Sequence, residues 1–161
     1  MAMARPIIAL SLMAVAFRIA TAAEDLALPP FAWPVVGVVV DDDDGRPSPS
    51  RAVGIDILVP KGTEVRASLA GTIIYAGRTL NTYGNLVLIR HEGGWVTAYG
   101  HNAELFVNRG DEVQTGDVIA KSGNTGFTAV PELYFEIRKG PNPVNPSRYL
   151  SLLKPQPVED P

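Results

Sequence analysis

The chain of 161 residues contains no cysteine and only two histidines, His91 and His101. Without cysteine there is no disulfide framework, no thiolate metal site, no cysteine nucleophile and no lipid attached through a cysteine side chain. Catalytic zinc usually takes three ligands from His, Asp, Glu or Cys. A metal centre is therefore barely possible on composition, and the length allows one domain with a core of its own.

The chain also lacks a cluster of positive charge. Its formal net charge is −3, and the acids in excess lie towards the two ends, including the run Asp41 to Asp44. Residues 51–150 are close to neutral. Phosphate binding needs a clustered positive field, so we expect no nucleic-acid partner.

Hydrophobic runs are short. Residues 1–23 have the pattern of a secretory signal peptide: Arg5, an apolar run from Ile7 to Phe17, and small residues at a cleavage site. The alternative is an uncleaved membrane anchor, but Arg18 interrupts the run well before the roughly 20 residues that a membrane span needs. We therefore expect an exported protein, and loss of Arg5 and Arg18 makes the mature chain more acidic.

Proline is absent between residues 61 and 130, although the chain has 14 prolines. Proline cannot donate to a strand ladder, so this stretch is where an unbroken sheet can form. Frequent glycines divide it into short segments rich in β-branched and aromatic residues, typical of strands. The clearest are residues 72–76, 86–90 and 95–99. The pattern predicts an all-β fold, a compact and mostly antiparallel sheet domain.

Gly93-Gly94 predicts a two-residue hairpin turn, because both positions tolerate positive φ. In that register His91 faces Val96, and His101 lies about 16 Å further along the strand on the opposite face. The two histidines are then not joint metal ligands. We interpret His91, at a strand end, as structural or solvated.

Composition also predicts the domain boundaries. Residues 24–50, with their proline pairs and acidic run, indicate a leader and acidic linker, and residues 151–161 a C-terminal tail. The folded domain is expected at residues 51–150. The leader contains the apolar residues Phe31 and Trp33, which either dock on the domain or promote aggregation.

Eight segments of residues 51–150, in order and spacing, resemble the lysostaphin-type peptidase domain, also called the LytM domain. The segments are Gly54-Ile55-Asp56-Ile57, Pro60-Lys61-Gly62-Thr63, Ala67 to Gly71, Tyr83-Gly84-Asn85, Ala98-Tyr99-Gly100-His101-Asn102, Val113 to Ala120, Gly123-Asn124-Thr125-Gly126 and Leu133 to Arg138. The resemblance implies a lysostaphin-like fold of the duplicated hybrid motif type.

In active members of that family, a His-x-Gly-x-Asp motif supplies two zinc ligands, and the second histidine of a His-x-His motif supplies the third. The resemblance puts Ala52 and Asp56 at the first two ligand positions. It puts Glu132 and Tyr134 at the His-x-His pair, and His101 at a further active-site histidine on a neighbouring strand. Only Asp56 of the three implied ligands remains. We therefore expect no catalytic residues, no metal, no other cofactor and no enzyme activity; the alternative is an improvised metal site of Asp56, His101 and Glu132.

The same resemblance implies that the former zinc cleft persists as a groove. Ala52, Asp56, His101, Glu132 and Tyr134 are expected to converge on it and to form a partner-binding surface. Tyr134 then has two alternative roles, because it either contacts a partner or fills the emptied zinc pocket.

Degenerate relatives of this kind in the Gram-negative envelope activate amidases that split peptidoglycan at the division septum. The resemblance therefore implies a periplasmic, non-catalytic regulator of peptidoglycan hydrolysis, whose partner is a cell-wall amidase, peptidoglycan or both. Unlike such relatives, this sequence has no cysteine, so we expect no lipid anchor. One alternative is a peptidoglycan- or partner-binding module without activating power. A second is a zinc metalloendopeptidase with a remodelled site.

Overall fold

Ten antiparallel strands and three single 3-10 turns make up the regular structure of residues 31–40 and 54–151, which are the residues that the computed structural model describes. The strands are β1 (Val38–Val40), β2 (Ile55–Leu58), β3 (Glu64–Arg66), β4 (Gly71–Gly77), β5 (Asn85–Arg90), β6 (Trp95–Leu105), β7 (Glu112–Val113), β8 (Val118–Ser122), β9 (Glu132–Lys139) and β10 (Asn142–Val144). The 3-10 turns are Asn81–Tyr83, Glu92–Gly94 and Pro146–Arg148. The predicted all-β, mostly antiparallel fold is confirmed, as are the three predicted strand segments.

The central strands follow the order β1-β2-β9-β6-β5-β4-β7. Strand β10 pairs with β9, and β8 pairs with both β3 and β6. The long strand β6 pairs with β9 over Trp95 to Gly100 and then with β8 from Asn102 onwards. The register of its pairing with β8 shifts between Asn102 and Glu104, and the candidate site lies beside this change of partner.

Strand β9 separates the core from the site face. Leu133, Phe135 and Ile137 are fully buried in the hydrophobic core. Because successive side chains of a strand point to opposite faces, Glu132, Tyr134 and Glu136 lie on the other face. The sequence of β9 thus alternates apolar residues for the core with polar residues for the site.

Residues 31–40 belong to this fold, although composition placed them in the leader and linker. Phe31 is fully buried, forms a parallel bridge with Leu150, and packs edge-on against Trp95 with ring centroids 5.7 Å apart. Strand β1 pairs with β2, and Pro34 accepts a hydrogen bond from the backbone of Arg66. Pro34 precedes β1, so the ladder needs no donor from it, and Phe31 docks on the core.

Several predictions fall on residues outside the described ranges. They include the signal peptide at residues 1–23, the acidic run Asp41 to Asp44, Ala52, and the C-terminal tail beyond Ser151. No helix in residues 31–40 and 54–151 is long and apolar enough to cross a membrane.

The predicted hairpin at Gly93-Gly94 is wrong by one residue. Arg90, not His91, pairs with Val96, and the backbone N–H of His91 donates to the carbonyl of Trp95. The loop has three residues because Glu92 joins the two glycines in a 3-10 turn, in which both glycines have positive φ. The shift places His91 against the core.

His91 has a structural role in a buried polar network. Its Nδ1 donates to the carbonyl of Ala70 at 2.8 Å, and its Nε2 lies 2.8 Å from the hydroxyl of Thr97. The Thr97 hydroxyl also lies 2.9 Å from the buried Tyr99 hydroxyl. Both ring nitrogens of His91 are engaged in this network. His91 and His101 are therefore not joint metal ligands, as the sequence predicts.

Burial lowers the pKa of His91, and the hydrogen bond to Ala70 only partly opposes this effect. The folded protein therefore holds His91 neutral, whereas the unfolded chain protonates it below about pH 6.5. We expect the free energy of unfolding to fall on acidification below that pH, with a limiting slope of about 1.4 kcal/mol per pH unit from this residue. Urea unfolding across this range should show the slope, and His91→Gln should remove it. The control variant Glu104→Gln, at an exposed residue, should keep this slope. An unchanged slope in His91→Gln would contradict the assignment of the slope to His91.

Candidate functional site

Strand register brings the predicted site residues together. Asp56 on β2 and Gly100 on β6 both pair with Tyr134 on β9, so the three lie in one row on the same face. Glu132 precedes Tyr134 by two residues and shares that face. His101 follows Gly100 and joins the group from β6. Four of the five predicted groove residues therefore converge, and Ala52 lies outside the described residues.

His101 is held in a fixed orientation. It is the one non-glycine residue with positive φ, at 63°, in the described part of the chain. Its Nδ1 lies 2.7 Å from the carbonyl of Thr125. A carbonyl only accepts, so Nδ1 carries the proton and, in the neutral ring, the lone pair of Nε2 points elsewhere. Nε2 lies 3.8 Å from a carboxylate oxygen of Glu132, and the His101 side chain is only 8% exposed.

Asp56, His101 and Glu132 form a compact group of acceptors. One potential ligand atom from each lies within 4.8 Å of the other two. Two carboxylates and an imidazole nitrogen concentrate negative charge and lone pairs at this point of the face. Such a group favours a cation or a multiple hydrogen-bond donor.

The loop at Thr125 holds this arrangement. The Thr125 hydroxyl donates to the carbonyl of Asn102 at 2.6 Å and accepts from the backbone of Asn85 at 3.0 Å. Gly84 packs directly on Thr125, with a φ of 62°. The sequence segment Gly123 to Gly126 marked this loop as part of the domain, but sequence reasoning missed that its carbonyl orients His101.

Gly84→Ala should therefore cost much more stability than the same change at an open glycine. A Cβ at Gly84 would collide with the hydroxyl oxygen and the backbone of Thr125, whereas one at Gly62, also at positive φ, would meet nothing within 4 Å. We expect a loss of about 3 kcal/mol or more for Gly84→Ala, from strain plus overpacking, and about 1–2 kcal/mol for Gly62→Ala, from strain alone. Denaturant unfolding of the two variants measures both. Equal losses would show that Gly84 and Thr125 are not in close contact.

The resemblance puts Tyr134 at a position where the family has a histidine ligand. Its ring lies over Gly54, where a Cβ would come within 2.6 Å of the ring, and 5.3 Å from the ring of Tyr83. Its hydroxyl donates to Glu136 at 2.7 Å. Burial, followed by the hydrogen bond and charge of Glu136, raises the pKa of Tyr134 well above its usual range. The phenol therefore stays protonated and acts as a donor.

Glu136 is a site-face residue that sequence reasoning missed. Its side chain is 3% exposed and accepts from the Tyr134 hydroxyl and from Arg138 at 2.5 Å. This buried carboxylate is thus paired and fixes the tyrosine ring. The signal was the alternation of β9, which puts Glu132, Tyr134, Glu136 and Arg138 on one face.

The zinc arrangement that the resemblance implies does not fit this chain. At the two positions where the resemblance implies histidine ligands, this chain has Tyr134, whose phenol is bonded to Glu136, and Ala52, whose methyl group cannot bind a metal. Tetrahedral zinc with bonds of about 2.0–2.2 Å holds its ligand atoms roughly 3.4 Å apart. The potential ligand atoms of Asp56, His101 and Glu132 lie within 4.8 Å of one another, but they are a different donor set from the one that the resemblance implies.

Comparison with known proteins agrees with the geometry. The sequence profile described as Peptidase family M23 matches residues 50–146. The chain belongs to Peptidase family M23. The M23 domain also superposes on the catalytic domain of the antimicrobial peptidase lysostaphin from Staphylococcus simulans, with a TM-score of 0.60 and 26% identity, covering 71% of this chain and 87% of that one. The predicted family and lysostaphin-like fold are confirmed.

Two relatives of this M23 chain have names that concern the cell envelope. It is 42% identical over 120 residues to the lipoprotein NlpD/LppB homolog of Pseudomonas aeruginosa, covering 74% of this chain and 39% of that protein. It is 40% identical over 118 residues to murein hydrolase activator NlpD of Escherichia coli, covering 73% of this chain and 30% of that protein. The chain thus spans less than half the length of these curated relatives.

Proposed function

We propose that this protein regulates peptidoglycan hydrolysis in the periplasm without cutting peptidoglycan itself, by activating a cell-wall amidase. The observation that carries this proposal is Tyr134: a protonated phenol, fixed on Glu136, stands at a ligand position of the family's zinc site. The strands that carry the site face are present, so the surface remains with only one of the three metal ligands that the resemblance implies, Asp56. The name murein hydrolase activator, given to a relative 40% identical, supports this function.

In this proposal the partner binds the groove formed by Ala52, Asp56, His101, Glu132 and Tyr134. Apolar side chains surround it on the same face. Leu58 pairs with Glu132 and with Val38, and Val40 pairs with Asp56, so these side chains flank the acidic residues. Val38 is 65% exposed and Val40 38%. Exposed apolar residues beside a charged floor are suited to a peptide segment of a partner protein.

The test is release of peptide from purified sacculi by an amidase of the same bacterium, with and without the mature protein. We expect stimulation by the wild type, no release by the protein alone, and loss of most stimulation in Tyr134→Ala and Glu132→Ala. The matched control is Glu92→Ala, at an exposed carboxylate in the 92–94 loop. Unchanged stimulation in both groove variants would contradict the groove mechanism, and wall binding without any effect on amidases would favour a binding module.

A second candidate is a metallopeptidase with a remodelled site. The observation in its favour is that the ligand atoms of Asp56, His101 and Glu132 lie within 4.8 Å of one another. It requires digestion of sacculi by the protein alone, blocked by a chelator, restored by zinc and lost in Asp56→Ala. We expect none of these activities.

A further inference from the structure

The hydrogen-bond acceptors of the groove differ in whether they have donors within the described part of the domain. Glu136 is paired with Tyr134 and Arg138 within the domain. The Glu132 side chain is only 12% exposed, and its carboxylate lies 3.8 Å from the Nε2 of His101. The Nε2 of His101 has no hydrogen-bond donor among the residues that the structure describes. Two nearly buried side chains therefore point acceptors at the same place.

The chemistry of this group selects a cationic donor. Carboxylates only accept, as does the Nε2 of an imidazole ring whose one proton is on Nδ1, so an anion or a neutral acceptor would leave them unsatisfied. A lysine ammonium carries three donors and an arginine guanidinium five. Asp56, on the paired strand, adds negative charge beside Glu132. A single Lys or Arg head group satisfies both Glu132 and His101.

The rim indicates what surrounds that head group. Val38 and Val40 lie on one side of the acidic residues. The methylene stem of a long basic side chain packs well along such apolar surface while its charged end reaches the carboxylates.

We infer that the amidase segment entering the groove carries a lysine or arginine, flanked by apolar residues, whose head group binds Glu132, Asp56 and the Nε2 of His101. This inference rests on the proposed function and adds the chemistry of the partner. It commits to a side chain of the amidase; a metal ion and a free amine of peptidoglycan are competing occupants that the test separates.

The test uses overlapping peptides that cover the amidase, titrated calorimetrically into the full mature protein. One peptide should bind, and replacing one of its basic residues with methionine should weaken binding about tenfold or more, as for a desolvated charge pair. Glu132→Gln should weaken binding of the parent peptide by a similar factor. It should hardly change binding of the peptide in which methionine replaces the basic residue. Glu92→Gln is the control, and thermal unfolding checks that each variant is folded. Glu132→Lys paired with a peptide in which that basic residue becomes glutamate should recover part of the affinity.

Four outcomes would overturn the inference. If all basic residues of the binding peptide can be replaced without effect while stimulation persists, the anchor is wrong and the proposed function stands. Peptide binding that requires added zinc would assign the group to a metal ion. Sacculus binding that is lost in Glu132→Gln, with no binding of any amidase peptide, would assign the group to an amine of peptidoglycan. If the wild type neither binds the peptides nor stimulates the amidase, the proposed function itself fails.

Discussion

Replacing Ala52, Glu132 and Tyr134 together with histidine is expected to give a protein that holds one zinc ion per chain. With Asp56 these changes complete the His-x-Gly-x-Asp and His-x-His motifs of the family. Tyr134→His leaves Glu136 without its phenol donor, which we expect to cost about 1–3 kcal/mol in the metal-free protein. Zinc binding should raise the free energy of unfolding by more than this loss, because a metal that binds only the folded state stabilises that state.

Mass spectrometry of the dialysed variant measures the bound zinc, and thermal unfolding with and without zinc measures the coupling to stability. The matched control adds Asp56→Ala to the same three histidines and should bind far less zinc. A folded triple variant that does not retain zinc would show that the strands no longer present the family's ligand geometry. That result would weaken the interpretation of the groove as a former zinc cleft.

Phe31→Ala is expected to destabilise the domain by about 3–5 kcal/mol, a large part of the stability of a small domain. Phe31 is fully buried and packs against Trp95 and His91, so its removal leaves a cavity in the core. Urea unfolding followed by tryptophan fluorescence measures the loss. Val38→Ala, at a side chain 65% exposed in the same segment, should change stability by no more than about 0.5 kcal/mol. A loss below about 1 kcal/mol for Phe31→Ala would show that residues 31–40 are dispensable for the fold.

The strands were predictable from local sequence because their segments combine β-branched residues with bounding glycines. Residues 72–76, 86–90 and 95–99 all lie in strands of the structure. The docking of Phe31 was left open because its neighbours include prolines and acids, and composition does not report a contact with Leu150, far away in the chain. The hairpin loop was misjudged by one residue because Glu92 has no turn signal of its own.

Four residues of the site were predictable from the sequence, but the hydrogen bonds that hold them were not. The proximity of Asp56, His101, Glu132 and Tyr134 followed from the resemblance, since strand order is not readable from these residues alone. The Thr125 carbonyl that orients His101 was not predictable, because a backbone acceptor has no side-chain signature. Pairing of Tyr134 with Glu136 follows from alternation along β9, but only once β9 is known to face the groove.

The metal content of the purified, mature wild-type protein tests the central claim most directly. We predict much less than one equivalent of zinc or any other transition metal after gel filtration, because Tyr134 and Ala52 cannot act as the family's ligands. One tightly held equivalent, lost in both Asp56→Ala and His101→Ala, would contradict the account and identify the site as a metal centre.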